Sequence, residues 1–323
     1  MSAGSEPSPT PGPWLSAEPE ARFRALFRRV HAGHAVCADD EWLREPCREP
    51  GGELANRPIA WSRRNGPWRR VETLWVGAAP GNAGGRGGGS MGAHATRIPF
   101  GGDVAGANLD VLLGAAGLDR NQVFITAALN HLPAAGGGEP KPAELRASVG
   151  TVPSSIHLLR ETVLASGAAL VLALGNVAHR ATVAAGLLNG AERVRLPGKA
   201  RLEALGFARE HVADWSRTAP PDPAFTAAWR AAWGQAALPA ILWLTHPSAQ
   251  NMSPWAGRET LFHVRMVEAR DAVRGAVRKV LGREPPAERS PLPTTGIYAL
   301  PEWRTQVGPR HAELDARWRD HGV

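Results

Sequence analysis

Four short apolar runs, separated by segments with helical periodicity, limit the fold of this 323-residue chain more than any other feature. The runs are rich in Val, Leu and Ile and occupy residues 72–78, 122–128, 168–175 and 240–246. Short, nearly continuous apolar sequence is typical of strands in a parallel sheet, because such strands are buried on both faces. The runs therefore predict the strands of one central sheet.

Helical patterns fill the intervals between the predicted strands. Apolar side chains recur at helical spacing over residues 104–118, 142–166 and 176–188, and a long helix is predicted over 257–281. Pro153 is expected to break or bend the second of these helices. This alternation predicts an α/β fold, a three-layer α/β/α sandwich around a central, mostly parallel four-stranded sheet.

Composition separates one folded domain from two tails. Residues 1–16 are rich in Ser, Pro and Gly and are expected to be disordered. The domain is predicted over residues 17–281, with a helix near its start and its core at 71–281. Residues 282–323 are interpreted as a linker followed by a polar C-terminal tail.

The chain lacks the sequence patterns of export and membrane insertion. Its first residues show no positive region followed by an apolar one, and no run of about 18 apolar residues occurs. The two cysteines, Cys37 and Cys47, are too few for a disulfide scaffold. We therefore expect a cytoplasmic protein with no membrane partner, and we expect it to be a monomer.

The charge balance favours an anionic partner. Lys and Arg number 37 against 30 Asp and Glu, which gives a net charge of +7 and favours polyanions such as nucleic acid. Nearly all of the basic residues are arginine, and the chain is also rich in Ala, Gly and Pro. Codon bias explains such a composition equally well, so the charge alone leaves DNA binding open.

The loops after the first and fourth predicted strands contain segments whose side chains could bind a ligand or take part in catalysis. Ligands of open α/β sheets bind outside the carboxyl ends of the strands, where this chain has RIPFGGD (97–103) and HPSAQNM (246–252). Phe100 offers a stacking face, Asp103 a general base, and His246 a donor to a developing anion. Structural roles would also suffice: loop packing for Phe100, helix capping for Asp103, and a strand end for His246.

The sequence gives little support for a dinucleotide-binding site, a metal site or a nucleophilic serine. Gly87, Gly89 and Gly92 match GxGxxG by spacing, but they lie well beyond the first strand and open no predicted helix. The histidines show no HxH or HExxH spacing, so no metal site is predicted. No GxSxG motif marks a nucleophilic serine.

The two loops resemble those of the uracil-DNA glycosylase superfamily, and most closely its family 5, or type B. In that type the first loop runs G-x-A-P and then a pattern like GANRTGRxFTGDxSG, and here it reads GAAPG (77–81) and GAHATRIPFGGDVAG (92–106). The last loop, HPSxQNxxxGR in the family, is HPSAQNMSPWAGR here (246–258). The resemblance covers about residues 71–280. It implies an enzyme of base excision repair that flips a damaged base out of DNA and cleaves its N-glycosidic bond.

The resemblance also implies residue roles. Asp103 would position or activate water and stabilise the sugar cation, while His246 would donate to O2 of the base as charge develops. The base pocket would be formed by Gly77, Ala78, Ala79, Pro80, Phe100 and Asn130. Contacts with DNA would come from Arg97, Ser248, Gln250, Asn251 and Arg258.

Departures from the family pattern bear on cofactor and base preference. Many members bind a [4Fe-4S] cluster through four cysteines, whereas this chain has His131 and Ser148 at two of those positions. Two thiolates cannot hold a cluster of the usual kind, so we predict no cofactor. Ala127 stands where related types carry an Asn that reads uracil, and Ala78 stands where family 4 has a Glu. The base that is excised therefore stays open.

Two alternatives to a monofunctional glycosylase acting on uracil or a related deaminated base stay open. A non-catalytic DNA-binding member of the same fold is favoured by the missing cysteines and Asn, and disfavoured by the joint presence of Asp103 and His246. A nucleotide-binding enzyme using the Gly-rich loop would need a phosphate-binding helix N-terminus, which the sequence pattern does not provide.

Overall fold

The computed structural model describes residues 72–79, 100, 104–118, 123–129, 140–148, 154–187, 213–215, 221–234, 236–247 and 259–288. The predicted helix near the start of the domain, both cysteines, the Gly-rich stretch after Pro80 and most of the C-terminal tail lie outside these residues. The described parts contain the predicted strands and the helices between them.

The central sheet confirms the predicted α/β architecture. Its strands are β1 (Thr73–Gly77), β2 (Phe124–Ala127), β3 (Leu170–Leu174), β4 (Ala213–Trp215) and β5 (Ala240–Leu244). They lie in the order β2-β1-β3-β5-β4. The four predicted strands, β1, β2, β3 and β5, are all parallel. The sequence did not predict β4, a short strand that pairs antiparallel with β5 at one edge.

Helices cover the sheet and follow the predicted positions closely. They are α1 (Val104–Ala115), α2 (Pro142–Arg146), α3 (Ser155–Ser166), α4 (Gly175–Ala184), α5 (Pro223–Trp233) and α6 (Glu259–Leu281). The expected break near Pro153 separates α2 from α3, and Ser154 caps the N-terminus of α3 by accepting from the backbone amide of His157 at 3.3 Å. Helix α5 was not predicted, although Asp222 at its N-cap and Pro223 at its first position are ordinary start signals.

Alternate residues of the strands face two separate apolar layers. Leu74 and Val76 of β1 pack in one layer with α3, α4 and α5, whereas Trp75 packs in the other with α1 and α6. Both layers are built from side chains that are almost completely buried. This period of two along each strand, with helices on both faces, is the packing of a three-layer sandwich.

Several arginines of α6 are engaged within the protein. Arg270 pairs with Asp271 and Glu288, Arg278 pairs with Glu284, and Arg274 donates to the carbonyl of Pro286 at 2.9 Å. Just beyond the helix, Arg283 makes a two-contact ion pair with Glu72 at the start of the sheet, and this pairing raises its pKa. The positive charge of this end of α6 is therefore largely balanced by neighbouring carboxylates. Among the described helices, none has the length and hydropathy needed to cross a membrane.

Candidate active site

The register of the parallel strands brings the ends of β1, β3 and β5 to one edge of the sheet. Val76 of β1 lies opposite Ala173 of β3, and Leu174 at the end of β3 lies opposite Leu244 at the end of β5. The chain leaves this edge at Ala78 after β1, at Gly175 after β3 and at Thr245 after β5. The segments predicted to carry the chemistry therefore begin side by side.

Phe100 and His246 are in contact at this edge. Their ring centroids are 5.7 Å apart and the ring planes are inclined by 36°. Phe100 is half-buried against the apolar layer formed by α1 and α6, and its backbone has φ of 56°, in the left-handed region. A bulky side chain rarely adopts that conformation unless packing enforces it. The ring of Phe100 is therefore held at a defined place beside the imidazole.

Gly77 allows Phe100 to approach the end of β1. A Cβ atom at position 77 would lie 2.6 Å from both Cε2 and Cζ of the phenyl ring. Any side chain at this position would push the ring away from the sheet. Ala127, at the end of β2, pairs with Gly77 and is partly exposed at the same edge, so the position where related types carry Asn lies next to Gly77.

His246 is pressed against the first residue of α4. A Cβ atom at Gly175 would lie 2.8 Å from Cβ of His246, and Gly175 has φ of 84°, where glycine is favoured. Helix α4 begins at Gly175 and its N-cap position is Leu174, which offers no polar side chain. The first amide groups of α4 therefore contribute positive partial charge next to the imidazole.

Burial keeps His246 neutral. An edge of the residue reaches the surface, but loss of solvent around the imidazole lowers its pKa from 6.5 to about 4. At pH 7 the ring is neutral, with one N–H donor and one unprotonated nitrogen. A neutral donor in a site with little water stabilises a developing anion.

The family comparison matches the part of the chain that contains this edge. The model of the uracil DNA glycosylase superfamily matches residues 65–266, which is more than half of the chain and includes the four parallel strands and both predicted loops. The chain belongs to the uracil DNA glycosylase superfamily. A search among curated proteins found no match.

The described part of this superfamily member contains five of the predicted site residues. These are Gly77, Ala78, Ala79, Phe100 and His246. Gly77, Phe100 and His246 form one contact group, while Ala78 and Ala79 are partly buried and continue from β1 into the same edge. The other predicted site residues lie outside the described residues: Pro80, Arg97, Asp103, Asn130, Ser248, Gln250, Asn251 and Arg258.

Two residues of the glycosylase-like edge were missed in the sequence. Asn108 is fully buried in α1 and its Nδ2 donates to the carbonyl oxygen of Pro247 at 2.8 Å. An amide within an otherwise apolar helical stripe was the available signal. Gly175 gave no such signal, because its need for a positive φ and for close approach to His246 arises only from the tertiary structure.

The ligands for a cluster of the superfamily type are not supplied by the described residues. Ser148 lies on the surface just after α2, and a serine hydroxyl is a poor substitute for a cysteine thiolate. Within the described ranges, no group of three His, Cys, Asp or Glu side chains is placed to hold a metal ion.

The depressed pKa of His246 has a consequence for stability. Between pH 6.5 and about 4 the folded protein keeps His246 neutral, whereas the unfolded chain protonates it, so acidification through this window favours unfolding. We expect His246→Gln to lose less thermal stability than the wild type between about pH 7.5 and about pH 5, because the variant lacks this proton uptake. Thermal unfolding curves at both pH values measure the difference.

Thr162→Val is a control for this pH effect. Thr162 is buried in α3 and donates from Oγ1 to the carbonyl of Leu158 at 2.7 Å, so its substitution can change stability but removes no titratable group. The control should lose as much stability as the wild type. Equal losses for wild type and His246→Gln would show that His246 does not have a depressed pKa.

Proposed function

We propose that the protein is a monofunctional DNA glycosylase that hydrolyses the N-glycosidic bond of uracil or a related deaminated base. The observation that carries the proposal is the contact between a neutral His246 and Phe100 at the carboxyl edge of the sheet, in a chain of the uracil DNA glycosylase superfamily. This pair combines a stacking surface for a planar base with a hydrogen-bond donor for the charge that forms on it.

The distance between the two rings limits how a base could bind. A base stacked between them would require centroids about 7 Å apart, because each stacked pair needs roughly 3.5 Å. The observed 5.7 Å is too short. We therefore propose that the base stacks on Phe100 beside His246 rather than between the two rings, so that its carbonyl edge can meet the imidazole. The backbone of residues 77–79 would border the base on the side of β1.

The proposed reaction is a hydrolysis. The bond between C1′ and the base nitrogen breaks with the electron pair leaving on the base, and a water oxygen forms the new bond to C1′. Asp103 is proposed to orient this water, accept its proton and stabilise the cationic sugar. For uracil, His246 is proposed to donate its N–H to O2 of the departing base, which shares the negative charge left on N1. Removal of one such donor typically costs about 3 to 4 kcal/mol of transition-state stabilisation.

DNA contacts are proposed for the loop residues rather than for the described part of α6. Arg270, Arg278 and Arg283 already pair with carboxylates of the same chain, so they offer little unbalanced charge to phosphates. Arg97 and Arg258 are therefore proposed as phosphate contacts, and Ser248, Gln250 and Asn251 as contacts with the DNA backbone or groove. Base flipping would bring the target nucleotide to the edge that these loops adjoin.

Oligonucleotides that each contain one uracil, hypoxanthine or xanthine test the proposal. Incubation with the wild-type protein should leave an abasic site on at least one substrate, which alkali then converts into a strand break. Without alkali the strand should stay intact, because a monofunctional enzyme has no lyase step. DNA binding without base release from any substrate would contradict the proposal and support the non-catalytic alternative.

We further propose that the enzyme works without an iron-sulfur cluster. Cys37 and Cys47 are the only cysteines of the chain, and a cubane of the family type needs four thiolate ligands. The purified protein is expected to contain no stoichiometric iron and to show no visible absorbance. Iron analysis and an absorbance spectrum of protein purified without oxygen test this expectation, and a brown protein with about four irons per chain would contradict it.

A further inference from the structure

A buried amide connects helix α1 with the loop that carries His246. Asn108 has no exposed surface, and its neighbours Leu109 and Leu112 belong to the apolar layer between α1 and the sheet. Its Nδ2 donates to the carbonyl oxygen of Pro247, 139 positions further along the chain, at 2.8 Å. Burial of an amide is unfavourable unless hydrogen bonds compensate for the lost water.

The hydrogen bonding of Asn108 is incomplete. Its Oδ1 is buried, and the part of the chain that the structure describes provides no hydrogen-bond partner for it. The opposite orientation of the amide would place two acceptors face to face, since the carbonyl of Pro247 has no proton to donate. A half-satisfied polar group stabilises a core less than an apolar side chain of similar size. Stability alone therefore does not explain an asparagine at this position.

The hydrogen bond from Asn108 restrains Pro247, the residue that directly follows His246. Pro247 is buried and has no backbone N–H, so its carbonyl is the group through which a neighbour can hold it. On the other side, Gly175 lies against Cβ of His246. His246 is thus restrained by the start of α4 and, through Pro247, by α1.

We infer that Asn108 is a positioning residue, which holds the Pro247 carbonyl and thereby fixes the orientation of His246. Helix α1 begins at Val104, directly after Asp103 in the sequence. Helix α1 therefore follows Asp103, one proposed catalytic residue, in the sequence. Through Asn108 it also holds the loop that carries His246, the other proposed catalytic residue. This inference rests on the proposed function for its kinetic consequence, but the restraint on His246 can be measured without any substrate.

Asn108→Leu removes the donor while keeping the branched shape of the side chain. We expect kcat for base release to fall about 10- to 100-fold, because displacement of a catalytic group by about 1 Å costs on that order, while KM stays close to that of the wild type. Asn108→Ala also removes the donor without adding bulk, and it serves if the leucine variant does not fold. Single-turnover and steady-state kinetics on the best oligonucleotide substrate separate kcat from KM.

Thr162→Val is the matched control. Thr162 is 1% exposed and donates from Oγ1 to the carbonyl of Leu158 at 2.7 Å, but it lies in α3, on the opposite side of the sheet. This variant also removes a buried hydrogen bond, and it should keep both the kcat and the imidazole signal of the wild type.

The second readout is the NMR signal of the His246 ring in ¹⁵N-histidine-labelled protein, assigned by its loss in His246→Gln. We expect this signal to shift in both Asn108 variants and to stay in place in Thr162→Val. An unchanged signal in a folded Asn108 variant would overturn the inference, whatever the kinetics. If the wild type released no base while the signal shifted, the proposed function would fail but the restraint on His246 would stand.

Discussion

Replacement of His246 by alanine is expected to lower kcat for base release by about 100- to 1000-fold, the loss typical of one anion-stabilising donor. The imidazole is fixed by contacts with Phe100 and Gly175, so it needs little reorganisation when charge develops on the base. Because a neutral ring at pH 7 interacts weakly with a neutral base before the bond breaks, KM should change much less than kcat. Single-turnover rates on a uracil-containing duplex, with KM from steady-state kinetics, measure both effects.

His157→Ala is the appropriate control for this variant. It removes a histidine from the first turn of α3 and leaves the capping bond from the backbone amide of residue 157 to Ser154 in place. It should keep the wild-type kcat. A His246→Ala protein that is folded and retains kcat within about threefold of the wild type would show that His246 is only a strand-end residue.

Asp103→Asn is expected to lower kcat by about 100- to 10,000-fold, the range associated with loss of a general base, with little change in stability. Asp103 directly precedes Val104, where α1 begins, so helix capping is the competing explanation for this residue. Asn caps helices as well as Asp does, but its amide cannot accept a proton from water. The substitution therefore removes the proposed chemistry and keeps any cap.

Thermal unfolding and kinetics of Asp103→Asn and Asp103→Ala separate the two roles. If the carboxylate is catalytic, both variants lose activity and only the alanine variant can lose stability. If the residue is only a cap, the asparagine variant behaves like the wild type in both measurements, and the alanine variant is destabilised by about 1 kcal/mol. Wild-type activity in the asparagine variant would thus remove Asp103 from the mechanism.

The main sheet could be predicted because burial on both faces leaves a strong pattern in the sequence. Strands β1, β2, β3 and β5 are apolar at nearly every position, and the helices between them repeat with a different period. Strand β4 has three residues, Ala213–Trp215, which is too short for any period, and its pairing with β5 is a tertiary property. Helix α5 has a start signal at Asp222 and Pro223, followed by buried apolar residues at helical spacing, so the local sequence was sufficient to predict it.

The site could be predicted only in part. The rule that carboxyl ends of parallel strands share an edge predicts that the loops of Phe100 and His246 lie near each other, and in the structure their two rings are in contact. The hydrogen bond between Asn108 and Pro247 and the packing of Gly175 on His246 join positions that are far apart in sequence. No local pattern specifies such contacts, because they depend on how the helices are placed on the sheet.

Direct detection of the released base is the most decisive measurement for the proposed glycosylase. Wild-type protein and the Asp103→Asn/His246→Ala double variant are incubated with oligonucleotides that each contain one uracil, hypoxanthine or xanthine, and the free base and the DNA strand are measured by mass spectrometry. We expect the wild type to release the free base from at least one of these substrates and leave an intact abasic strand, and the double variant to release no base above background. Equal release by both proteins, or no release by the wild type from uracil, hypoxanthine or xanthine substrates, would contradict the proposed function.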